Sequence, residues 1–310
     1  MIQVSVIIIN YNTFRLTSEA IASIQQHTVG VSYEIIVVDN ASTECDPNLF
    51  VEQFPRVHLV RNPENSGFAK GNNLGIQQAQ GQTILLFNSD AAVLNDALTL
   101  TYKALVADAK MGITTGRLQY PNGRLQYQCG RFPSLRLQLV ELLRLQKLVS
   151  MQQRGEMLLG TFFGHETSFR PDWVWGTYFH VKRHIINELP EKKLPDDFFM
   201  YSEDLQWCYA IRKLGYDIQY IPEARILHHF SQSTRKEKQL NQMNMILRHE
   251  DIFLRREYGP LATTSYYLAK ILNLLLSGGG SAANRHLARQ YVRLLRGKEL
   301  RTSTPPNSGS

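Results

Sequence analysis

Short apolar runs alternate with segments of helical length through the first 118 residues of the chain. The apolar runs lie at 4–9, 34–38, 57–60, 83–87 and 112–115, and the helical segments lie near 14–27, 46–53, 68–79 and 95–108. Runs this rich in Val, Ile and Leu are typical of parallel strands that are buried on both faces of a sheet. The pattern therefore predicts an α/β fold with a doubly wound, mostly parallel, Rossmann-like sheet.

Polar residues follow each of the first four predicted strands, where the apolar run stops. They are Asn10 and Asn12 after the first strand, Asp39 and Asn40 after the second, Asn62 after the third, and Asn88 and Asp90 after the fourth. At any single strand end, an Asn or Asp is simply explained as a turn former or a helix cap. Because ligands of such sheets bind outside the carboxyl ends of the strands, four polar ends in succession predict a polar ligand at this edge.

Asp39 and Asp90 are the two acidic residues at this edge, and together they suit a nucleotide diphosphate. One carboxylate can accept hydrogen bonds from a base or a ribose, and the other can hold a hard divalent cation that neutralises the phosphates. A phosphate site without a metal would instead use a glycine-rich loop, and neither of the common motifs of that kind occurs in the chain. Gly67, Gly71 and Gly75 recur every four residues, which places them near one face of a helix for close packing or close approach of a ligand.

Cysteine usage and the N-terminal residues exclude several classes of protein. Cys45, Cys129 and Cys208 are widely spaced and odd in number, which indicates neither a disulfide framework nor a zinc site and fits a reducing cytosol. The apolar run at 4–9 has no basic region before it and is too short for a signal peptide or a membrane span. We therefore expect this run to be a strand.

The net charge of +7 is unevenly distributed along the chain. Residues 1–128 carry a net charge of −2, and residues 129–310 carry +9. A basic region of this kind suits nucleic acid, an anionic lipid surface or solvent alone. The basic part contains no recognised nucleic-acid-binding motif and no aromatic-basic repeat, so we expect no nucleic-acid partner.

The second part of the chain predicts further helices and strands. They are a hairpin turn at 120–124, one or two amphipathic helices within 134–163, a strand at 172–180, a helix at 203–214, a strand at 217–221 that leads to 224–229, and helices beyond 240. Three glycines at 278–280 predict a break between these last helices, and the composition of 301–310 predicts a disordered tail.

Two pairs of neighbouring residues in this second part carry chemistry. Glu203 and Asp204 begin a predicted helix. Adjacent helical residues point about 100° apart, so the two carboxylates do not serve one reaction centre equally: one is a candidate catalytic group, and the other is a cap or a partner of the helix dipole. Taken alone, the pair is most simply structural. His228 and His229 end an apolar run, and in a strand their rings face opposite ways, so at most one of them is a natural metal ligand.

Seven short motifs occur in the order that one enzyme family shows. They are INYN at 9–12, IVVDNAS at 36–42, NSGFAKGNNLG at 65–75, FNSD at 87–90, WVWG at 173–176, FMYSED at 199–204 and HHFSQS at 228–233. With these motifs the chain resembles the family 2 glycosyltransferases of the GT-A type, over about residues 3–235. Within that family it resembles the bacterial polysaccharide group that includes rhamnosyltransferases.

The resemblance implies a GT-A fold and a role for each matched position. Asp39 would recognise the nucleoside. Asp90 would be the last member of the metal-binding D-x-D element, with His228 as a further ligand to Mg²⁺ or Mn²⁺. Asp204 would be the general base, with Glu203 as the second choice. Donor contacts are implied for Asn10, Asn12, Asn40, Gly67, Asn72 and Asn88, and acceptor contacts for Trp175 and Tyr201.

The metal element departs from the family pattern, because it is Asn88-Ser89-Asp90 where relatives often carry N-P-D or D-x-D. Position 88 supplies an amide instead of a charge. One carboxylate, one imidazole and the diphosphate oxygens still make an octahedral site. We therefore expect weak metal affinity in the absence of the donor.

The reaction that the resemblance implies is metal-dependent transfer of a sugar from a nucleotide donor to an acceptor hydroxyl, with inversion at the anomeric carbon. The implied donor is a UDP- or dTDP-sugar, with dTDP-rhamnose among them, and the implied acceptor is a saccharide or lipid-linked saccharide of cell-surface polysaccharide synthesis. A nucleotidyltransferase that acts on sugar phosphates is the main rival, but it would carry a glycine-rich basic loop where this chain has NYNTFR at 10–15. A non-catalytic protein that binds nucleotide sugars or membrane surfaces is a second alternative.

The predicted organisation separates a catalytic domain from a basic helical extension. Residues 1–235 form the catalytic domain, with a nucleotide-binding half at 1–118 and an acceptor half at 119–235 that contains the amphipathic insertion near 134–163; residues 236–300 form the extension.

The apolar stretch 261–276 within the extension is shorter than the roughly 20 residues that span a bilayer. It suits a flat position on an anionic membrane, with Arg289, Arg293 and Arg296 facing the headgroups. A cover for the catalytic domain and a homodimer contact are equally open. We expect a cytoplasmic protein, peripheral on the inner face of the cytoplasmic membrane where the extension binds lipid.

Overall fold

The computed structural model describes residues 1–229, 236–276, 281–298 and 300, with the backbone alone for 236–240. The chain forms two compact units. Residues 1–131 and 159–231 form the first, which we call the sheet unit, and residues 132–158 and 232–310 form the second, which we call the helical unit. The predicted break at 278–280 and the predicted disordered tail at 301–310 lie outside the described residues.

The described residues of the sheet unit form ten strands. They are β1 Val4–Asn10, β2 Tyr33–Asn40, β3 Val57–Asn62, β4 Thr83–Asn88, β5 Ala91–Val93, β6 Met111–Gln119, β7 Cys129–Gly130, β8 Trp173–Val174, β9 Tyr178–Lys182 and β10 Asp217–His228. Eight of them form one sheet in the order β3-β2-β1-β4-β9-β6-β10-β5, and β7 pairs with β8. The four strands β3, β2, β1 and β4 are mutually parallel, as predicted, whereas β9 and β5 run antiparallel to their neighbours.

The described residues form ten α-helices. They are α1 Phe14–His27, α2 Leu49–Gln53, α3 Gly67–Gln78, α4 Ala97–Ala107, α5 Leu135–Leu142, α6 Met151–Leu158, α7 Arg183–Glu188, α8 Glu203–Lys213, α9 Lys236–Leu276 and α10 Ala282–Leu295. Local signals fix several ends: the Asp96 side chain caps α4 by accepting from the Thr99 N–H, and α8 stops before Gly215, whose φ is +92°.

The central strands are buried on both faces, which is why their sequences are continuously apolar. On one face, Val6, Ile8 and Val37 pack in a cluster with residues of α1. On the other face α3 lies so close that a Cβ at Gly75 would come within 2.5 Å of Cγ2 of Ile7. Close helix-sheet packing therefore accounts for a glycine at position 75.

The segment predicted as one strand at 172–180 divides between two sheets. β8 pairs with β7 in the small sheet, and β9 lies between β4 and β6 in the large sheet. The chain turns at Trp175-Gly176-Thr177, where the Gly176 N–H donates to the Asp204 carboxylate instead of to a neighbouring strand. The apolar pattern of this segment does not show the turn, because both strands are buried.

The helical unit consists of α5, α6, α9 and α10. α9 bends at Gly259 (φ +80°, ψ +168°), which is followed by Pro260, and both α5 and α10 pack against α9. Residues 132–158 interrupt the sheet unit in sequence yet belong to the helical unit. Within the described ranges, no helix combines the length and the apolar character that crossing a membrane requires.

Candidate active site

The polar ends of the four parallel strands lie at one edge of the sheet. Strand register places Asn10 beside Asp39, and Ile9 beside Asn88. The same register places Asn40 beside Asn62. The edge predicted from the sequence therefore exists as a continuous row of side chains.

The Asp39 carboxylate is buried and held from two sides. Its Oδ1 accepts a hydrogen bond from Nδ2 of Asn10 at 2.9 Å, and its Oδ2 accepts from the Ser42 N–H at 3.2 Å. Asn10 is itself fully buried, and its Oδ1 accepts from the hydroxyls of Thr13 and Thr17. Asn10 therefore makes its side-chain hydrogen bonds within the protein, and it affects a bound ligand by orienting Asp39.

A hydrogen-bonded path joins Asp39 to the end of β4. The Thr13 hydroxyl donates its proton to Asn10 and lies 3.1 Å from the Ser89 hydroxyl, which can donate to it. Ser89 immediately precedes Asp90. The two acidic residues predicted to share a nucleotide thus belong to one connected group.

Two further asparagines organise the loops at this edge. Asn12 has a φ of +54°, and its Oδ1 accepts from the backbone N–H groups of Thr43 and Glu44. Asn40 is buried and binds the loop before α3, since its Nδ2 donates to Oδ1 of Asn65 and its Oδ1 accepts from Nδ2 of Asn62. Both side chains therefore fix the conformation of the loops at this edge of the sheet.

Asp90 faces His228 at the other side of this group. Oδ1 of Asp90 lies 3.3 Å from Nε2 of His228, and the His229 N–H donates to the Asp90 backbone carbonyl. His228 is buried and His229 is exposed, as expected for neighbours in a strand. Gln126 contacts the other ring nitrogen of His228 at 2.7 Å.

The turn between β8 and β9 brings Asp204 to the same edge. The Gly176 N–H donates to Oδ2 of Asp204 at 3.3 Å, and the next residue, Thr177, accepts from the Asn88 N–H through its backbone carbonyl at 3.1 Å. The residue that contacts Asp204 is therefore adjacent in sequence to the residue that pairs with the end of β4. Asp90 follows two residues after Asn88, so the acids at 39, 90 and 204 are joined through this edge.

The loop before α8 has an unusual backbone. Tyr201 and Ser202 have φ values of +69° and +68° directly before Glu203, and two successive left-handed residues other than glycine store strain. The Phe199 carbonyl anchors this loop by accepting from the Phe68 N–H at 2.9 Å. A Cβ at Gly67 would come within 2.3 Å of that carbonyl, so glycine is required there for close approach of the backbone.

Glu203 and Asp204 differ in surroundings although they are neighbours. Burial raises the pKa of both carboxyl groups, and the charge of Asp204 raises the pKa of Glu203 further. Asp204 accepts hydrogen bonds from the Gly176 and Leu205 N–H groups, whereas Oε2 of Glu203 is buried without a hydrogen-bond partner. Asp204 is therefore the more easily ionised of the two, and it alone keeps part of its surface exposed.

The remaining predicted residues surround this centre. Trp175 directly precedes Gly176 and is partly buried, and burial raises the pKa of the partly buried Tyr201. Asn72 is buried in α3, where its Nδ2 donates to the Phe68 carbonyl. Trp175 thus adjoins the residue that contacts Asp204, Tyr201 lies in the loop before α8, and Asn72 stabilises the helix that carries Gly67.

The donor set at Asp90 fits a divalent cation only in part. Among the residues that the structure describes, no three or more His, Cys, Asp and Glu side chains are arranged to hold a metal. Asp90 and His228 offer one carboxylate and one imidazole, and Oδ1 of Asn88 is buried without a hydrogen-bond partner nearby. Because Mg²⁺ and Mn²⁺ prefer six ligands, these residues fit a cation whose other ligands are donor phosphates and water.

Three supporting residues were not identified from the sequence. Gln126 holds His228, Thr177 joins β4 to the turn before β9, and Asn73 binds both backbone groups of Leu194. Their partners are distant along the chain, and no local motif marks them. Asn73 adjoins Asn72 in the glycine-containing helix, which is the only hint that the sequence offers for any of the three.

The comparisons with known proteins concern the family and the fold of the chain. Residues 5–179 match the sequence model of glycosyl transferase family 2. The uncharacterized protein y4gI of Sinorhizobium fredii is 26% identical over 265 residues, which cover 82% of this chain and 27% of that protein. The glycosyltransferase GlyG of Streptococcus pneumoniae serotype 4 is 31% identical over 105 residues, which cover 32% of this chain and 34% of GlyG. The matches thus span about a third or less of the length of these relatives.

A solved structure supports the fold. The mannosyltransferase PcManGT from Pyrobaculum calidifontis, in complex with GDP-Man and Mn²⁺, is similar with a TM-score of 0.58 and 17% identity, over 94% of this chain and 85% of that one. Together with the large, mostly parallel sheet, this likeness confirms the predicted GT-A fold. Because the family match covers more than half of the length of this chain, the chain belongs to glycosyl transferase family 2.

Proposed function

We propose that this glycosyltransferase moves a sugar from a nucleotide donor to an acceptor hydroxyl, with inversion at the anomeric carbon. The observation that carries the proposal is the connected group at the sheet edge, in which Asp39, Asp90 and Asp204 come from three distant parts of the chain. Each acid has a different environment, and each environment suits a different task.

Asp39 is the residue that receives the nucleoside. Its carboxylate is held by Asn10 and Ser42 through one hydrogen bond to each oxygen, which fixes its direction while leaving lone pairs for a base or ribose. A pre-oriented acceptor loses little entropy on binding. Asn12 and Asn40 act in the same step by shaping the loops that flank the nucleoside.

Asp204 is the general base. A base works best when its pKa lies near the operating pH, and burial raises the pKa of Asp204 in that direction. Attack by the acceptor oxygen on the anomeric carbon breaks the bond to the diphosphate, and the hydroxyl proton passes to Oδ of Asp204. Trp175, which precedes Gly176, and Tyr201, which lies in the loop before α8, would orient the acceptor.

Asp90, His228 and Asn88 would hold a divalent cation together with the donor diphosphate. When bound, such a cation supplies positive charge that stabilises the leaving group. The PcManGT complex contains Mn²⁺ and a nucleotide sugar, which supports a divalent metal and a nucleotide-sugar donor for this chain. The choice between Mg²⁺ and Mn²⁺, between UDP- and dTDP-sugars, and the membership of the rhamnosyltransferase group remain predictions.

Product analysis tests the proposal. The purified chain is incubated with UDP-, dTDP- and GDP-sugars, Mn²⁺ and saccharide acceptors, and the products are separated by chromatography. Free nucleoside diphosphate and a glycoside of inverted configuration, measured by NMR, support transfer. Release of pyrophosphate would instead support a nucleotidyltransferase, and a retained anomeric configuration would remove the direct displacement with Asp204 as base.

A further inference from the structure

The helical unit carries a face rich in arginine. Its exposed members are Arg285, Arg289, Arg293 and Arg296 of α10 and its C-terminal cap, which we call the arginine face. At about 100° per residue these four positions fall within roughly 80° of arc. The three buried residues of α10 lie on the opposite side, so the arginine face looks away from the packed interior.

A row of exposed leucines lies on the second half of α9. Its members are Leu261, Leu268, Leu272 and Leu275, with 81%, 57%, 46% and 49% of their surfaces exposed; we call them the leucine stripe. They fall within roughly 60° of arc on one side of the helix. Single exposed leucines are ordinary, but a continuous row of them marks a contact surface.

The leucine stripe and the arginine face are neighbours. Leu275 lines one groove together with all four arginines of α10. The apolar surface continues onto the insertion, because Nη2 of Arg144 donates to the Leu276 carbonyl at 3.4 Å and so holds the end of α5 beside the end of α9. There, Leu143, Leu148 and Met151 are 62%, 81% and 65% exposed.

The charge of α10 and of the second half of α9 is of one sign. Residues 260–298 contain six Lys and Arg and no Asp or Glu. A second copy of the chain docked symmetrically on this surface would bring like charges together, which disfavours association. An anionic bilayer complements both features, because its headgroups attract the arginines and its acyl chains accept the leucines.

We propose that the leucine stripe and the arginine face bind an anionic membrane surface, with α9 and α10 lying in the plane of the headgroups. This inference deepens the proposed function. Membrane binding itself does not depend on that function, but the consequence that the acceptor is carried on a lipid rests on it. Two chain segments far apart in sequence build the surface, so it belongs to the fold of the helical unit and not to a tail.

Vesicle flotation with the full chain tests the inference. The vesicles contain phosphatidylcholine alone or with phosphatidylglycerol, at low and high salt. Arg285→Gln/Arg289→Gln/Arg296→Gln should weaken binding to anionic vesicles on the order of 100-fold, because each arginine near such a surface contributes about fivefold. Leu268→Gln/Leu272→Gln/Leu275→Gln should abolish binding at high salt. The matched controls, Lys103→Gln/Lys110→Gln/Arg124→Gln and Val29→Gln/Val106→Gln/Leu214→Gln, change exposed residues of the sheet unit and should bind as the unchanged chain does.

Each outcome is decisive. Failure of the unchanged chain to float with anionic vesicles, or equal binding by the variants, overturns the inference. A dimer in light scattering that the leucine variant dissociates, without vesicle binding, would assign the surface to a second copy. Asp204→Asn should float normally, so loss of the proposed reaction and loss of membrane binding are separately visible.

A different observation carries a second inference, about Gln126. This side chain is buried, its Nε2 donates to the His228 backbone carbonyl at 2.7 Å, and its Oε1 lies 2.7 Å from Nδ1 of His228. A carbonyl can only accept, so the amide orientation is fixed and Oε1 must accept from Nδ1–H. In the tautomer that carries its proton on Nδ1, the lone pair of Nε2 faces Oδ1 of Asp90, 3.3 Å away.

Two acceptors facing each other at this distance suit a cation that both can bind. We infer that Gln126 is a positioning residue: it selects the His228 tautomer in which Nε2 carries the lone pair beside Asp90. The hydrogen-bond partner of a metal-binding histidine commonly sets ring orientation in this way, and its loss weakens metal binding by about 10–100-fold.

Mn²⁺ binding in the presence of UDP or dTDP, followed by electron paramagnetic resonance, tests this role without turnover. Gln126→Leu should weaken Mn²⁺ binding by about 10–100-fold. Gln128→Leu is the matched control, because Gln128 is equally buried but donates to the Gly116 carbonyl. Nitrogen NMR of His228 should show protonated Nδ1 in the unchanged chain. Unaltered Mn²⁺ binding by Gln126→Leu, or an Nε2–H tautomer in the unchanged chain, overturns the inference.

Discussion

The backbone N–H of Gly176 donates a hydrogen bond to Oδ2 of Asp204 at 3.3 Å, across 28 residues of sequence. The same turn meets β4 through Thr177 and Asn88, so the peptide that orients the proposed base is fixed to the strand that leads to Asp90. A carboxylate held in this way keeps its direction towards the acceptor. It also ionises more easily than its neighbour Glu203, which lacks such donors on Oε2.

Replacement of the proposed base should separate binding from chemistry. Asp204→Asn preserves the shape of the side chain but removes the proton acceptor, so we expect turnover to fall by about 10²–10⁴-fold. The dissociation constant for the nucleotide diphosphate with Mn²⁺, measured by calorimetry, should change little. Full turnover in this variant, with loss of turnover in Glu203→Gln, would transfer the role of the base to Glu203.

The buried Glu203 should make the stability of the fold fall as pH rises. Burial raises its pKa above the unfolded value, so between these two values the folded chain binds more protons than the unfolded chain. The stabilisation that Glu203 contributes is therefore fully present below the ordinary glutamate pKa and is lost as pH rises through the raised pKa.

The measurement is the melting temperature of Glu203→Gln and of the unchanged chain across that pH range. A neutral side chain does not titrate, so the difference between the two should move in favour of the variant as pH rises. The exposed Glu64 provides the control, because Glu64→Gln should leave the pH dependence unaltered. A constant offset for Glu203→Gln at every pH would contradict a raised pKa.

Asp39 should affect donor binding and not the chemical step. Its loss removes a charged hydrogen-bond acceptor from the nucleoside, which costs about 1.5–3 kcal/mol, or roughly 10–150-fold in KM for the donor. Asp39→Asn keeps the volume and should leave kcat nearly constant. The control is Asp46→Asn, which alters an exposed acid that pairs with Arg61. Equal losses of kcat and kcat/KM in Asp39→Asn would place Asp39 in the transition state instead.

His228 and His229 form an internal comparison. The first, at the end of β10, is buried beside Asp90, and the second, which follows the strand, is exposed. His228→Ala should raise the Mn²⁺ concentration needed for half-maximal activity by about 10–100-fold, whereas His229→Ala should not. Metal titrations of donor turnover make the comparison. Identical titration curves would remove His228 from the cation site.

The fold follows closely from the sequence because its strands are buried on both faces. For β1 to β4, the predicted apolar runs agree with the observed strands to within two residues at each end. The sequence also placed Asp39 and Asp90 at the correct edge, since in a parallel sheet every strand end points the same way. The family resemblance supplied Asp204, which spacing alone left as a structural residue.

Contacts that depend on distant segments could not be predicted. Gln126 binds His228 across 102 residues, and no propensity or period reports such a pair. The sequence also hides the turn at 175–177, because the buried residues before and after the turn form one apolar run. The acidic residues at the strand ends could therefore be predicted from the sequence, whereas the residues that orient their partners could be identified only from the structure.

Gly67 should couple the stability of the fold to the geometry of the site. Its φ is +84°, and a Cβ there would come within 2.3 Å of the Phe199 carbonyl. Gly123 is the matched control, since its φ is +78° but a Cβ there meets nothing within 4 Å. Gly123→Ala should lower the free energy of unfolding by about 1 kcal/mol, the ordinary cost of a left-handed alanine.

Gly67→Ala should lower the free energy of unfolding by about 2–4 kcal/mol, because the steric overlap with Phe199 adds to the cost of the left-handed backbone. Urea denaturation of the two variants measures the difference. Relief of the overlap must move the Phe199–Ser202 loop that precedes Asp204, so kcat should fall in Gly67→Ala and remain constant in Gly123→Ala. Equal stability losses in the two variants would show that the approach of Gly67 to Phe199 does not constrain the fold.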